Sequence, residues 1–432
     1  MTNRYITNLI WTFVEKVIHL FSVLVVGVLL ARYLGPEQYG VLTYAQSYVA
    51  MFGFLVGLGL DSITVREIVK NPGKSDIIVG TAFWLKLSMS VIIIAVINLS
   101  SFGFNDDKQT QLLVVVLSLS LVYQAFYVFV NFFQAKVNIR YISILIVISN
   151  LLLIITKLFL IANESSLLGF IIIDSSVLIM LGLSYYFLYS SNNNLNIFKL
   201  LVFDLSFAKK MLMDSWPLMI SSGAIVLYMR LDQIMIKEML SLEDLGNYAV
   251  SVRISESWYF IPMIISGVLY PSIIKAKEVD LELYHLRLKQ LFFTTIWIAI
   301  IFAFFLLYFS GDIITMLFGN KYSTENNVLS ILAFAGIFVA MGYVNGKWMI
   351  AENYTKIELV RNVFGLVVNV ILNIILIPIY GIDGAAISTL ISIFFASNAV
   401  LFFYKKTRKI FYMQNMSIFD YKIIKIINRF KY

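Results

Sequence analysis

Eleven residues carry most of the chemistry that this 432-residue chain can offer. They are the bases Lys86, Lys157, Arg230 and Arg253, the acids Glu15, Asp174, Asp232 and Glu256, and the polar or aromatic Asn8, Trp11 and Tyr228. Each interrupts a long apolar run. A charge at the centre of a membrane helix costs about 2.5–3.5 kcal/mol, so it needs a partner, a ligand or a water-filled cavity. Unpaired bases in such places suit an anion. Acids suit a proton, a sodium ion or a neighbouring base.

The elements that must position these groups follow from spacing. Asn8, Trp11 and Glu15 stand at i, i+3 and i+7, hence on one helix face. Glu15 lies too deep to reach the interface with its short stem, so it is expected to face a cavity; Lys16, rotated by about 100°, can reach outward. Lys86 and Lys157 have no acid three or four residues away, and Asp174 is one possible partner. Structural pairing and ligand contact both fit. Ser221, Tyr228 and Asp232 form one stripe with Arg230 beside it, and Arg253 and Glu256 are an i, i+3 pair. If their helices face each other, Asp232, Arg253 and Glu256 make a charged cluster. A longer stripe, Glu358, Asn362, Gly365, Asn369 and Asn373, suits helix–helix packing better than ligand contact, with Lys347 and Arg361 as interfacial anchors.

Composition sets the class. The chain is 60% hydrophobic and 13% charged, about half the charge of a soluble domain. Too little polar side chain remains to cover a globule in water, so the expected fold is an all-α integral membrane protein. Apolar runs of bilayer length number twelve: 6–31, 41–60, 78–99, 112–134, 143–162, 167–190, 217–236, 246–270, 290–310, 328–350, 357–378 and 383–404. Lys and Arg alternate sides along this series, with 22 on one side including the tail and four on the other, Arg32, Lys108, Lys237 and Lys321. The positive-inside bias then puts both termini in the cytoplasm. The net charge of +8 reads as a topology signal and a contact with anionic lipid, not as nucleic-acid binding.

The polar stretch 191–216 divides the chain into a six-helix lobe at 1–190 and a second at 217–404, with a cytoplasmic linker between them and a basic tail at 405–432. A weak echo supports the division: Leu34, Glu37 and Gly40 recur as Leu240, Glu243 and Gly246. Soluble catalytic signatures are missing. There is no Cys, the two His are His19 and His285, and no phosphate-cradling G-x-x-x-x-G-K-[ST] motif occurs, so neither a thiol enzyme nor an ATPase is expected, nor a metal or other cofactor.

Several segments carry a family likeness: Leu34-Gly35-Pro36-Glu37-Gln38-Tyr39-Gly40; Gly57-Leu58-Gly59-Leu60 before Arg66-Glu67; Asp232 followed by Gly246-Asn247-Tyr248; and Asn373 through Pro378-Ile379-Tyr380-Gly381-Ile382-Asp383-Gly384-Ala385-Ala386. In order and topology they resemble the polysaccharide transporter family, the lipid-linked oligosaccharide flippases of the multidrug/oligosaccharidyl-lipid/polysaccharide (MOP) exporter superfamily. The resemblance implies two six-helix lobes around a central cavity and no enzymatic activity. It implies a substrate linked through pyrophosphate to undecaprenol, moved across the bacterial cytoplasmic membrane by alternating access for O-antigen, capsule or exopolysaccharide synthesis. Polymerase and glycosyltransferase partners would belong to the same pathway.

On that reading Lys86, Lys157, Arg230 and Arg253 face the headgroup, while Asn8, Trp11 and Tyr228 offer amide and aromatic surfaces to sugars. Glu15, Asp174, Asp232 and Glu256 balance charge or couple H⁺ or Na⁺. A drug antiporter of the same superfamily is the alternative, although its cavity should favour acids over bases. A membrane polymerase is a weaker alternative, because no large external loop is present.

Overall fold

Backbone groups inside a bilayer must satisfy one another, which leaves helices as the local solution for a chain of apolar runs. The computed structural model describes residues 2–101, 108–193, 202–322, 326–352 and 354–419, and these are helical almost throughout, with no strand among them. In chain order the helices are α1 (Thr2–Gly57), α2 (Leu60–Lys70), α3 (Ser75–Ser101), α4 (Lys108–Ser118), α5 (Tyr123–Ala135), α6 (Arg140–Ala162), α7 (Leu167–Asn193) and α8 (Leu205–Met239). They continue as α9 (Leu242–Glu256), α10 (Phe260–Val279), α11 (Leu281–Phe318), α12 (Asn326–Ala351), α13 (Thr355–Phe394), a π turn at Phe395–Ala399, α14 (Val400–Phe403) and α15 (Arg408–Ser417).

Ten of the described stretches are long and apolar enough to cross a membrane. Two are far longer than one crossing: 61 residues at Ile10–Lys70 and 48 at Lys356–Phe403. A straight helix of 61 residues would run roughly 90 Å, about three times the hydrocarbon core. Each is bent at a glycine. Gly35 has φ 73° and ψ 173°, and Gly381 has φ 60° and ψ −139°, regions that a Cβ strongly disfavours. Pro36 completes the first break, since it has no N–H to continue the ladder. Each bent stretch is long enough for two passes, so the ten stretches among the described residues have the length for twelve. Both bends fall on family-like segments of the sequence.

By internal packing the chain forms two units, Met1–Val226 and Leu227–Tyr432, divided within α8. The first unit is built on an aromatic core in which Phe83, Phe129, Phe132, Phe133, Tyr185 and Tyr189 join residues of α2 and the start of α8. Of the stretch 191–216, residues 194–201 lie outside the described residues, and Leu205 onward forms the first turns of α8. Ala208, Met211 and Ser215 turn inward on one face. The opposite edge is tied by charge: buried Glu67 receives Lys210 at 2.8 Å and Arg66 at 3.0 Å, and Arg66 also pairs with Asp214.

In the second unit, α11 and α12 share an apolar core with α15. The polar stripe of α13 is buried as a packing seam: Asn373 donates to Asn369 at 3.2 Å, and Asn369 donates to Ser392 at 3.4 Å on the far arm of the bend. Arg361 corrects the expectation of an interfacial anchor. It is 4% exposed, donating to Glu358 at 2.9 Å and to the Ala396 carbonyl at 3.3 Å. Its long stem allowed a surface role, but its helix is covered on that side. Residues 405–419 fold back on the second unit, and 420–432 lie outside the described residues.

Candidate functional site

Each unit holds its own cluster of membrane-embedded polar groups. In the first, the chain leaves α1 through Leu58 and Gly59, both at positive φ. That break sets Asp61 in the first turn of α2. Lys86, well inside α3 and 1% exposed, reaches Asp61 Oδ1 at 2.5 Å. Asn131 Nδ2 of α5 donates to the same oxygen at 2.8 Å, and the Tyr127 ring centre lies 6.0 Å from the ammonium. The Asp61 side chain stays 51% exposed while Lys86 is sealed beneath it. The pair therefore presents a carboxylate edge outward, an acceptor for hydroxyl or amide donors, and hides the positive charge.

Lys157 of α6 pairs with Asp174 of α7 at 2.6 Å, both side chains largely covered. Asp174 thus serves Lys157, and the partner of Lys86 is Asp61, which the spacing of charges on single helices did not reveal. Asp61 falls one residue past the apolar run 41–60, so a search for acids within the runs of this half finds only Glu15 and Asp174.

The face carrying Asn8, Trp11 and Glu15 is a helix seam rather than an open wall. Asn8 Nδ2 donates to the Val137 carbonyl at 2.8 Å, Arg140 lies over the Trp11 ring at 5.9 Å, and Ser143 Oγ donates to Glu15 at 2.6 Å. His19 meets Asn150 one further turn along, at 3.3 Å. All four contacts run along α6 and the turn before it. Lys16 bends back to Glu15, 3.1 Å away. The expectation that Glu15 faces a cavity is corrected on this geometry: a polar stripe has the same period whether it meets a ligand or another polar stripe.

The second unit centres on an acid held by hydroxyls. Asp232 of α8 is 2% exposed. It accepts from the Tyr248 hydroxyl of α9, from Thr389 Oγ1 of α13 at 3.3 Å and from its neighbouring Gln233 N–H at 2.8 Å. Beside it lies a cavity of about 30 Å³ lined by Asp232, Tyr248, Ser255, Glu256, Tyr259 and Thr389 with four apolar side chains. That is room for one or two waters or a bare cation. Two carboxylates and four hydroxyls around such a space can hold a proton or a hard cation through oxygen ligands. No group of three His, Cys, Asp or Glu that could hold a metal ion occurs among the described residues.

Glu256 pairs across helices with Arg230 at 3.4 Å. Of the cluster expected from sequence, Asp232 and Glu256 share the cavity wall, and Arg253 is not part of it. Tyr228, one turn before Asp232, lies near Arg361 and Glu358. The missed contributors are Tyr248 and Thr389. Tyr248 stood in a family-like segment, whereas Thr389 had no distinguishing pattern.

Comparison with known proteins agrees with this architecture. The sequence profile of a family described as polysaccharide biosynthesis protein matches residues 6–277, more than half of the chain. The capsular polysaccharide biosynthesis protein CapF of Staphylococcus aureus is 22% identical over 413 residues, covering 93% of this chain and 99% of the relative. The probable low-salt glycan biosynthesis flippase Agl15 of Haloferax volcanii is 28% identical over 175 residues, but the match spans only 40% of this chain and 37% of that relative.

Among solved structures, the lipid II flippase MurJ in an inward closed conformation superposes with TM-score 0.67 at 18% identity, over 98% of this chain and 93% of that one. A multidrug resistance MATE transporter of the MOP superfamily, inward-facing, gives TM-score 0.67 at 14% identity over 94% and 95%. The fold is that of the MOP superfamily, and the chain, a multi-pass membrane protein, belongs to the polysaccharide biosynthesis protein family.

Proposed function

We propose that the chain is a flippase that moves undecaprenyl-pyrophosphate-linked oligosaccharide repeat units across the bacterial cytoplasmic membrane, for O-antigen, capsule or exopolysaccharide synthesis. The observation that carries the reading is the family match over residues 6–277 together with the near-complete alignment to a capsular polysaccharide protein. Both termini are assigned to the cytoplasm by the distribution of Lys and Arg.

Of the four deep bases, Lys86 and Lys157 sit in close ion pairs at 2.5 and 2.6 Å. Arg230 is the base assigned to the pyrophosphate, because it is held at 3.4 Å and keeps a third of its side chain accessible. A bidentate guanidinium also suits phosphate oxygens better than an ammonium. When the headgroup takes Arg230, Glu256 loses its counter-charge beside Asp232. A proton or Na⁺ entering the cavity then restores neutrality, which links substrate to coupling ion. Glycosyltransferases upstream and a polymerase downstream are the pathway partners.

The test is deletion of the gene followed by assay of lipid-linked repeat units on each leaflet. Accumulation on the inner leaflet is expected. Units that still reach the outer face but stay unpolymerised would overturn the proposal in favour of a polymerase.

A further inference from the structure

At the end of the twelfth pass the chain builds a feature separate from the two charged clusters. The π turn Phe395–Ala399 interrupts the helix, a rare element that recurs at functional sites. It is held from inside. Arg361 takes the Ala396 carbonyl, and Asn345 Nδ2 and Gln414 Nε2 take the Ser397 carbonyl at 2.8 and 3.4 Å. Thr407 closes a tight turn by donating to the Leu401 carbonyl at 2.8 Å, and α15 folds back.

Between the π turn and α15 lies a groove of about 360 Å³, walled by Phe394, Ala399, Phe402, Phe403 and Phe411. Asn398 and Asn415 in its wall bond to each other in both directions, at 2.9 and 3.2 Å, which leaves the groove apolar. The turn that follows Phe403 carries Lys405, Lys406, Arg408 and Lys409, four cations in five residues with no acid from 405 to 419; Lys406 lies over the Tyr354 ring at 5.7 Å. Arg408 lies over the Phe402 ring at 5.1 Å, so one side chain joins the charged end to the apolar wall.

The outward face of α15 and the residues after it carries Tyr412, Met416 and Phe419, exposed by 45, 62 and 83%. A helix bound to the bundle on one side and apolar on the other meets lipid, not water. Trp297, whose indole donates to the Ile418 carbonyl at 3.1 Å, stands at the same level, as aromatic residues do at a membrane interface.

We propose that this groove holds one acidic phospholipid, its phosphate among Arg408 and the neighbouring lysines and an acyl chain along the phenylalanines. Charge complementarity selects the headgroup and the walled groove selects the chain. The site is independent of the flippase reading, since it requires only that the chain sit in a bilayer.

Native mass spectrometry of the delipidated full chain, offered equal amounts of dioleoyl phosphatidylglycerol and dioleoyl phosphatidylcholine, tests it. One phosphatidylglycerol should remain bound. Arg408→Gln should weaken retention about fivefold, and Ala399→Trp, which fills the groove, should abolish it. Should Ala399→Trp fail to fold, Arg408→Gln and Lys405→Gln carry the test, because neither touches the core. Equal retention of phosphatidylcholine, or unchanged retention in the charge variants, would overturn the proposal. Displacement of phosphatidylglycerol by undecaprenyl diphosphate at equal concentration would also overturn it, assigning the groove to the polyprenyl carrier instead.

Discussion

The two units solve the same problem, a charge inside a membrane, in opposite ways. The first seals a base, Lys86, behind an acid at 2.5 Å and an amide at 2.8 Å on the same oxygen. The second buries an acid, Asp232, among a tyrosine, a threonine and a backbone N–H, next to a cavity of about 30 Å³. An ion pair of this kind is a fixed part of the fold, because removing one member leaves the other uncompensated. An acid held by hydroxyls differs, since it stays hydrogen-bonded whether charged or neutral. On the flippase proposal, the contrast separates a group that holds the structure from one suited to gain and lose a proton.

Breaking the pair should have the largest effect. Asp61→Ala strands Lys86 and should cost about 3 kcal/mol, the low end for a buried pair because water reaches Asp61. Thermal unfolding in detergent measures it, and Lys86→Met added to Asp61→Ala should recover most of the loss. No recovery would mean that Lys86 is needed for more than neutralisation.

Tyr248→Phe removes one donor from Asp232 and should cost about 1.5–3 kcal/mol, the range for a hydrogen bond to a charged group. Asp232→Asn keeps shape and most hydrogen bonds, so stability should change by about 1 kcal/mol or less. Export by this variant should lose its dependence on pH or Na⁺ in a vesicle assay. If export keeps that dependence, the contrast between the units is wrong in its second half. The smallest effect belongs to Lys16→Ala. Its side chain is 42% exposed beside Glu15, and a partly exposed pair contributes about 0–1 kcal/mol. Both melting temperature and export should stay near wild type.

The helices and bends were largely legible. Apolar run length marked the passes, and Gly35-Pro36 and Gly381 marked the two breaks, because only glycine readily takes those φ values. The extent of α11 was less legible. Its 38 residues begin at Leu281, nine before the apolar run, because Asp280 caps the helix by accepting from the Glu282 and Leu283 N–H groups. Hydropathy sees the membrane part of a helix and not its polar extension. Among the candidate residues, Glu15 lines a seam against Ser143, and Arg361, expected at the interface, lies in the interior.

Sequence by itself determined the class, the passes, the bends and the list of costly charges, since hydropathy and backbone dihedrals are local properties. Only the tertiary structure decided who partners whom: Asp61 with Lys86, Asp174 with Lys157, Glu256 with Arg230. The physical reason is that helical periodicity gives a residue's bearing on its own axis. Partnership also depends on which helix lies opposite and in what register, and packing alone sets those.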